Sequence, residues 1–221
     1  MNADFVLGII GLCGGLICAF ADILLDFKGS DNMKYGPGKI MDSNWNNMSM
    51  WRFKASIWVA AVAVPMYLMG LVSLYHQIAL VNQTIANIFG ICAVIGCSGT
   101  MFIHATCCYL PIITKTMIRE KVDEEKIGRV AGSLYGSMSI PFFILWVILV
   151  LVLSGIVMFA ILAGILDIPK GFALLNPAVF VIIGIIFRLI NKKIFSDIPG
   201  IFMPSLGIGV LGLTAAVSST M

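Results

Sequence analysis

The sequence predicts an all-α fold: a polytopic transmembrane bundle of six helices, both termini outside, with a short cytoplasmic amphipathic helix between helices three and four. Three observations carry this. First, 60% of the 221 residues are apolar and 11% charged, and mean hydropathy is +1.02, whereas a soluble domain carries about 25% charged residues. Second, a spanning helix needs roughly 20 apolar residues, and stretches of that kind fall at 5–25, 53–75, 85–110, 140–166, 172–190 and 201–218. Third, thirteen of the 14 Lys and Arg residues fall in alternate loops, leaving Lys170 alone on the other side. Cytoplasmic loops retain Lys and Arg, so both termini are expected outside a cell membrane crossed several times. The spans use up residues 1–221 as a single transmembrane domain.

Helix one, residues 5–25, has a smooth face. At 3.6 residues per turn, Gly8, Gly11, Gly15, Cys18, Asp22 and Asp26 share one side. Small residues let another helix approach closely, and the Gly8/Gly11/Gly15 face is a candidate surface for an oligomer. Ala19-Phe20-Ala21 resembles a signal-peptidase site, but no basic residue precedes the apolar run, so the segment reads as a span. Between helices one and two, Gly36-Pro37-Gly38 marks a turn. Asp42-Ser43-Asn44 is a cap for a short interfacial helix carrying Trp45, Met48 and Trp51 on one face. That loop is either an aromatic anchor for helix two or a lid over the cytoplasmic mouth.

Helix two contains Pro65 and closely spaced alanines, which predict a kink and tight packing. Helix three places Cys97, Met101, His104, Cys108 and Pro111 on one face. After Pro111, residues 114–135 read as the cytoplasmic helix, with an apolar stripe of Ile118, Val122, Ile127, Val130 and Leu134 and charge pairs four residues apart. Helix four is nearly uniform Ile, Leu, Val and Phe. Helix five opens on Asn176-Pro177, where the amide can satisfy carbonyls that proline leaves free. Helix six is glycine-rich. The two halves show no duplication of the kind that marks inverted-repeat transporters.

Candidate chemistry lies near the cytoplasmic ends of helices one and three. Asp22 lies about 26 Å along helix one from Phe5, and His104 about 28 Å along helix three from Ile85. The two side chains therefore share a depth, and ionisable groups in a membrane are costly unless paired or wet. The pattern suggests a polar pocket for a small amphiphilic ligand or solute, with ligand-binding residues Asp22, Asp26, His104, Arg52 and Tyr109, and with Asp26 and Arg52 at its mouth. If the protein is instead an enzyme on a lipid-like substrate, His104 is the candidate catalytic acid or base, oriented by Asp22. The third alternative is a structural or immunity protein in which Asp22 reaches interfacial water and His104 bonds a neighbouring helix.

Other chemistries lack their residues. His76 and His104 fall at opposite ends of the core, on the order of 30 Å apart, too far to share a haem. HExxH, GxSxG and P-loop motifs are absent, and Asp22-x3-Asp26 has no second acidic motif to form a divalent-metal prenyl-transfer site. No Lys lies mid-membrane for a retinal Schiff base. The expectation is no cofactor, no metal and no nucleic acid, with membrane lipid as the surrounding partner. The six cysteines (13, 18, 92, 97, 107, 108) lack CxxC spacing and read as small packing residues.

The strings CAFADILLD and MDSNWNNMSMWRFKASIW resemble the opening of a set of uncharacterised bacterial six-helix membrane proteins, over roughly residues 1–75. That resemblance implies a bacterial inner-membrane location and carries no activity.

Overall fold

The structure, a computed structural model, describes residues 2–36, 39–195, 197 and 203–221. It is all-helical apart from one small hairpin. Helix α1 runs Ala3–Asp26, α2 Met50–Val81 and α3 Gln83–Arg119; α4 (Glu124–Trp146) passes through a π-helical stretch, Val147–Val152, into α5 (Leu153–Leu162). Helices α6 (Pro177–Ile190) and α7 (Met203–Ser218) complete the bundle. Four of these rods are long and apolar enough to cross a membrane, and α6 and α7 are shorter apolar helices. The protein is thus a helical bundle with the character of an integral membrane protein. The first two residues of the sixth expected span, 201 and 202, lie outside the described residues, as do Pro37 and Gly38 of the expected Gly-Pro-Gly turn.

Side chains set the helix ends. Asn2 accepts from the Asp4 N–H to start α1, and Asn82 accepts from Ile85 N–H to start α3 while its own N–H closes α2 on Ile78. Asn176 accepts from Val179 N–H and donates to the Ala173 carbonyl, so Pro177 sits in the first turn of α6, where its missing N–H costs nothing.

The separate amphipathic helix expected between spans three and four is corrected. Pro111 does not end α3, which continues to Arg119. The chain then reverses at Lys121, in the left-handed region with φ 58°, and Asp123 caps α4 by accepting from Glu125 and Lys126 N–H. The apolar stripe is therefore shared between two helices. The Glu125–Arg129 pair survives at 3.3 Å, whereas the Arg119/Asp123 and Lys121/Glu125 spacings straddle the reversal.

The glycine face is also spent differently from the expectation of an oligomer surface: α2 and α7 occupy it. A Cβ on Gly11 would stand 2.5 Å from Gly70 Cα, one on Gly8 2.5 Å from Ala216 N, and one on Gly15 would fall on the Gly209 backbone. These helices touch backbone to backbone, which only glycine permits.

The long loop folds as well. Lys34–Tyr35 pairs antiparallel with Met41–Asp42, and Ser43–Asn46 forms a 3-10 turn. Asp42 makes no side-chain cap there, and the three-residue apolar face splits: Trp45 and Met48 are buried, while Trp51 is 60% exposed. Met41, Trp45 and Met48 pack on Leu25, Phe53, Cys108, Leu110, Ile127 and Ala131, a second core separate from the main one between the spans.

Contacts sort the loops into two ends. Asn2 Nδ2 donates to Ser219 O at 3.0 Å, and His76 lies 2.9 Å from Asp4. At the opposite, basic end, Lys115 donates to the Trp45 and Asn46 carbonyls at 2.8 Å, and the Lys28 and Gly29 amides donate to Asp197 at 3.1 Å.

Candidate functional site

Two features at the basic end combine chemistry-bearing residues. The first is the pair singled out in the sequence. Asp22 of α1 and His104 of α3 meet, with Oδ1 to Nδ1 3.2 Å, and both are largely removed from solvent. Ser205 of α7 donates to the other Asp22 oxygen at 2.6 Å. Ser56 of α2 stands 2.8 Å from His104 Nε2 and 2.7 Å from the Ala21 carbonyl.

Those distances determine the protons. A hydroxyl has one hydrogen, and the Ala21 carbonyl can only accept, so Ser56 donates there and accepts from His104 Nε2–H. His104 Nδ1 then faces a carboxyl oxygen. Two bare acceptors at that distance would repel, so a proton lies between them, and wherever it sits the pair carries no net charge. A net-neutral, fully bonded unit is what a low-dielectric bundle tolerates. Both imidazole nitrogens are engaged, and neither Asp22 nor His104 lines any of the cavities described below.

The remaining predicted site residues do not join this pair. Asp26 pairs with Lys28. Arg52 is withdrawn from the pocket mouth: its Nε donates to Leu24 O at 3.1 Å and its Nη2 to Ile23 O and Phe27 O at 3.2 Å each. The carbonyls at the C-terminal end of α1 carry the negative end of its dipole and lack a full set of backbone donors, although Ile23 O takes the Phe27 N–H, so a guanidinium suits them. Tyr109 is 52% exposed. It follows the buried Cys108 by one residue, about 100° around the helix, which carries it off the packed face. Ser56 and Ser205 were not anticipated, although each is a hydroxyl in an otherwise apolar run.

The second feature is the charged chain that pins the loop. Asp42 is 1% exposed and receives Lys28 at 3.1 Å, Lys34 at 2.9 Å and Asn32 Nδ2 at 2.7 Å, while Lys28 also reaches Asp26. Burial alone would raise the Asp42 carboxyl, but Lys28, Asn32 and Lys34 outweigh it and hold it below the usual carboxylate range. Burial likewise would lower Lys28, and Asp26 and Asp42 overcome it and push the ammonium above its ordinary value. A depressed carboxylate contributes stability that is present above its unfolded value and lost as pH falls through its folded one. The raised ammonium contributes below its unfolded value and loses that contribution only at strongly alkaline pH. The loop is therefore expected to stay closed through the neutral range and to open only in acid below the usual carboxylate range. Asp42→Asn should open it at neutral pH, costing about 2 kcal/mol locally. Amide hydrogen exchange of residues 39–49 reads both effects.

Beside that chain lies a cavity of about 570 Å³ lined by Met33, Lys34, Tyr35, Met41, Ser43, Asn46, Ile118, Val122, Glu124 and Ile127. It is bounded by the loop on one side and by the ends of α3 and α4 on the other. Two further hollows are smaller: about 360 Å³ between the α1 end and the start of α2, and about 270 Å³ in the groove beside Pro65 between α2 and α3.

Neither a curated protein nor a solved structure matches this chain. A family model matches residues 1–220, in keeping with the resemblance of the opening segments to uncharacterised membrane proteins, and the chain belongs to that family, the family of unknown function DUF6796.

Proposed function

We propose that this membrane protein binds a small amphiphile at its basic end, facing the cytoplasm, and serves to sense or move it. The observation that carries this reading is the cavity between the loop and the α3–α4 reversal. Its volume falls within the roughly 300–1,000 Å³ of small-molecule sites, and its wall is divided between apolar side chains and a few polar ones. Met41 and Ile127 form a buried apolar floor, and Lys34, Ser43, Asn46 and Glu124 supply polar groups.

In this reading the amphiphile does not touch Asp22 or His104. The pair ties α1 and α3 together, and Ser56 and Ser205 extend the tie to α2 and α7, so that the helices beneath the loop keep one arrangement. The cytoplasmic orientation rests on the clustering of Lys and Arg in the loops of this end.

The test uses the full chain held in amphipol and titrated with octyl glucoside and octylphosphocholine below their micelle thresholds, read by native mass spectrometry. Saturable binding is expected, and Val122→Trp, which fills the cavity from the α3–α4 reversal, should weaken it by about tenfold or more. Uptake that does not saturate, or that is equal in the wild type and Val122→Trp, would overturn the reading.

A further inference from the structure

We infer that the loop cavity selects amphiphiles whose headgroup carries both an anionic and a cationic centre, as a phosphocholine or phosphoethanolamine does. This deepens the amphiphile-binding reading and rests on it. The wall of the cavity is charged at two places of opposite sign. Lys34 stands on the first hairpin strand, its ammonium half-exposed and held on one side by Asp42 at 2.9 Å. Glu124 stands in the first turn of α4 and is exposed, with no ion-pair partner within 4.0 Å among the described residues.

An amphiphile bearing one sign of charge answers one of these groups and repels the other. A neutral one excludes water from both without replacing it. Only a headgroup with both signs offers each charged residue a partner as the cavity dries.

The neutral lining divides in the same way. Ser43 and Asn46 follow Lys34 along the loop; the Asn46 amide is a donor suited to phosphate oxygens, and the Ser43 hydroxyl, which accepts from Met33 N–H, can turn its one weakly held hydrogen from Asn44 Oδ1 toward them. Tyr35 joins the carboxylate side. Burial, then Glu124 and Asp42, push its phenol above the usual range, so a neutral aromatic ring lines the cavity, of the kind an ammonium is drawn to. The tail has Met33, Met41, Ile118, Val122 and Ile127, two of them methionines whose unbranched chains adapt to irregular shapes.

The experiment compares four probes of equal chain length on the full chain in amphipol: octylphosphocholine, octyl sulfate, octyltrimethylammonium and octyl glucoside, each by calorimetric titration. Octylphosphocholine is expected to bind about fivefold more tightly than any of the others, the scale of an ion pair and a cation–π contact at a partly exposed site. Glu124→Gln should erase its advantage over octyl sulfate and leave the advantage over octyltrimethylammonium. Lys34→Gln should do the reverse. Because Lys34 also pairs with Asp42, Glu124→Gln is the cleaner variant, and circular dichroism checks both folds. Equal binding of all four probes, or a preference unmoved by either variant, would overturn the headgroup assignment and leave amphiphile binding standing. Failure of every probe to bind saturably would remove both.

Discussion

Asp22→Ala is expected to destabilise the folded bundle by about 3–5 kcal/mol, the cost of removing one member of a buried pair and stranding the other. Two scales compete. Single interhelical hydrogen bonds in membranes average about 0.6 kcal/mol and reach about 1.7, because the unfolded chain in lipid also finds partners. Asp22 exceeds that scale because it takes bonds from two helices, His104 at 3.2 Å and Ser205 at 2.6 Å. Its loss leaves the buried imidazole Nδ1 without its carboxylate partner. Ser205→Ala, which removes one bond and leaves Asp22 its imidazole, should cost no more than about 1.7 kcal/mol. Reversible unfolding in mixed micelles measures both. An Asp22→Ala cost below that of Ser205→Ala would mean that the pair is incidental to the fold.

The second large effect is steric. Gly15→Leu is expected to abolish assembly of α1 with α7, because even the first added carbon falls on the Gly209 backbone and no rotamer relieves it. Gly11→Leu meets Gly70 and Gly212 in the same manner, with the Cβ 2.5 Å from Gly70 Cα. Losses of this kind exceed the roughly 4–5 kcal/mol that marks an exceptional substitution. Gly155→Ala is the control. Nothing lies within 4 Å of a Cβ there, and replacing a mid-helix glycine should be neutral or stabilising by up to about 1 kcal/mol. Yield of monodisperse protein and its melting temperature distinguish the two cases. Normal folding of Gly15→Leu would contradict the backbone contact between α1 and α7.

The depth argument that brought Asp22 and His104 together was legible because it needs only helix rise and the cost of an unpaired ionisable group in lipid. The carboxylate and imidazole do meet. What periodicity could not supply was direction around the helix and the identity of neighbours. Arg52 was at the right depth, yet the Ile23, Leu24 and Phe27 carbonyls at the C-terminal end of α1 claimed it. Tyr109 lay one residue from a buried position and so faced elsewhere. The glycine face was correctly read as a close-packing surface, but the sequence does not say whether the partner belongs to the same chain, and α7, far away in sequence, supplied it. The amphipathic stretch after Pro111 was read as one helix because its stripe continues without interruption. The reversal depends on a left-handed lysine and an aspartate cap, signals too short to outweigh the stripe. Asp42 was seen as a cap; its two lysines and one asparagine lie up to 14 positions away along the chain and meet it only once the hairpin closes.

The length of α3 gives the molecule a profile that its composition does not suggest. Past His104 the helix continues for 15 residues to Arg119, about 22 Å at 1.5 Å per residue, whereas α1 ends only one turn beyond Asp22. The α3–α4 reversal therefore stands clear of the shorter first helix like a mast, with the loop as its collar. The hollow lies between the loop and this reversal, at the far end of α3, so in the proposed reading a short-tailed amphiphile would enter it from water.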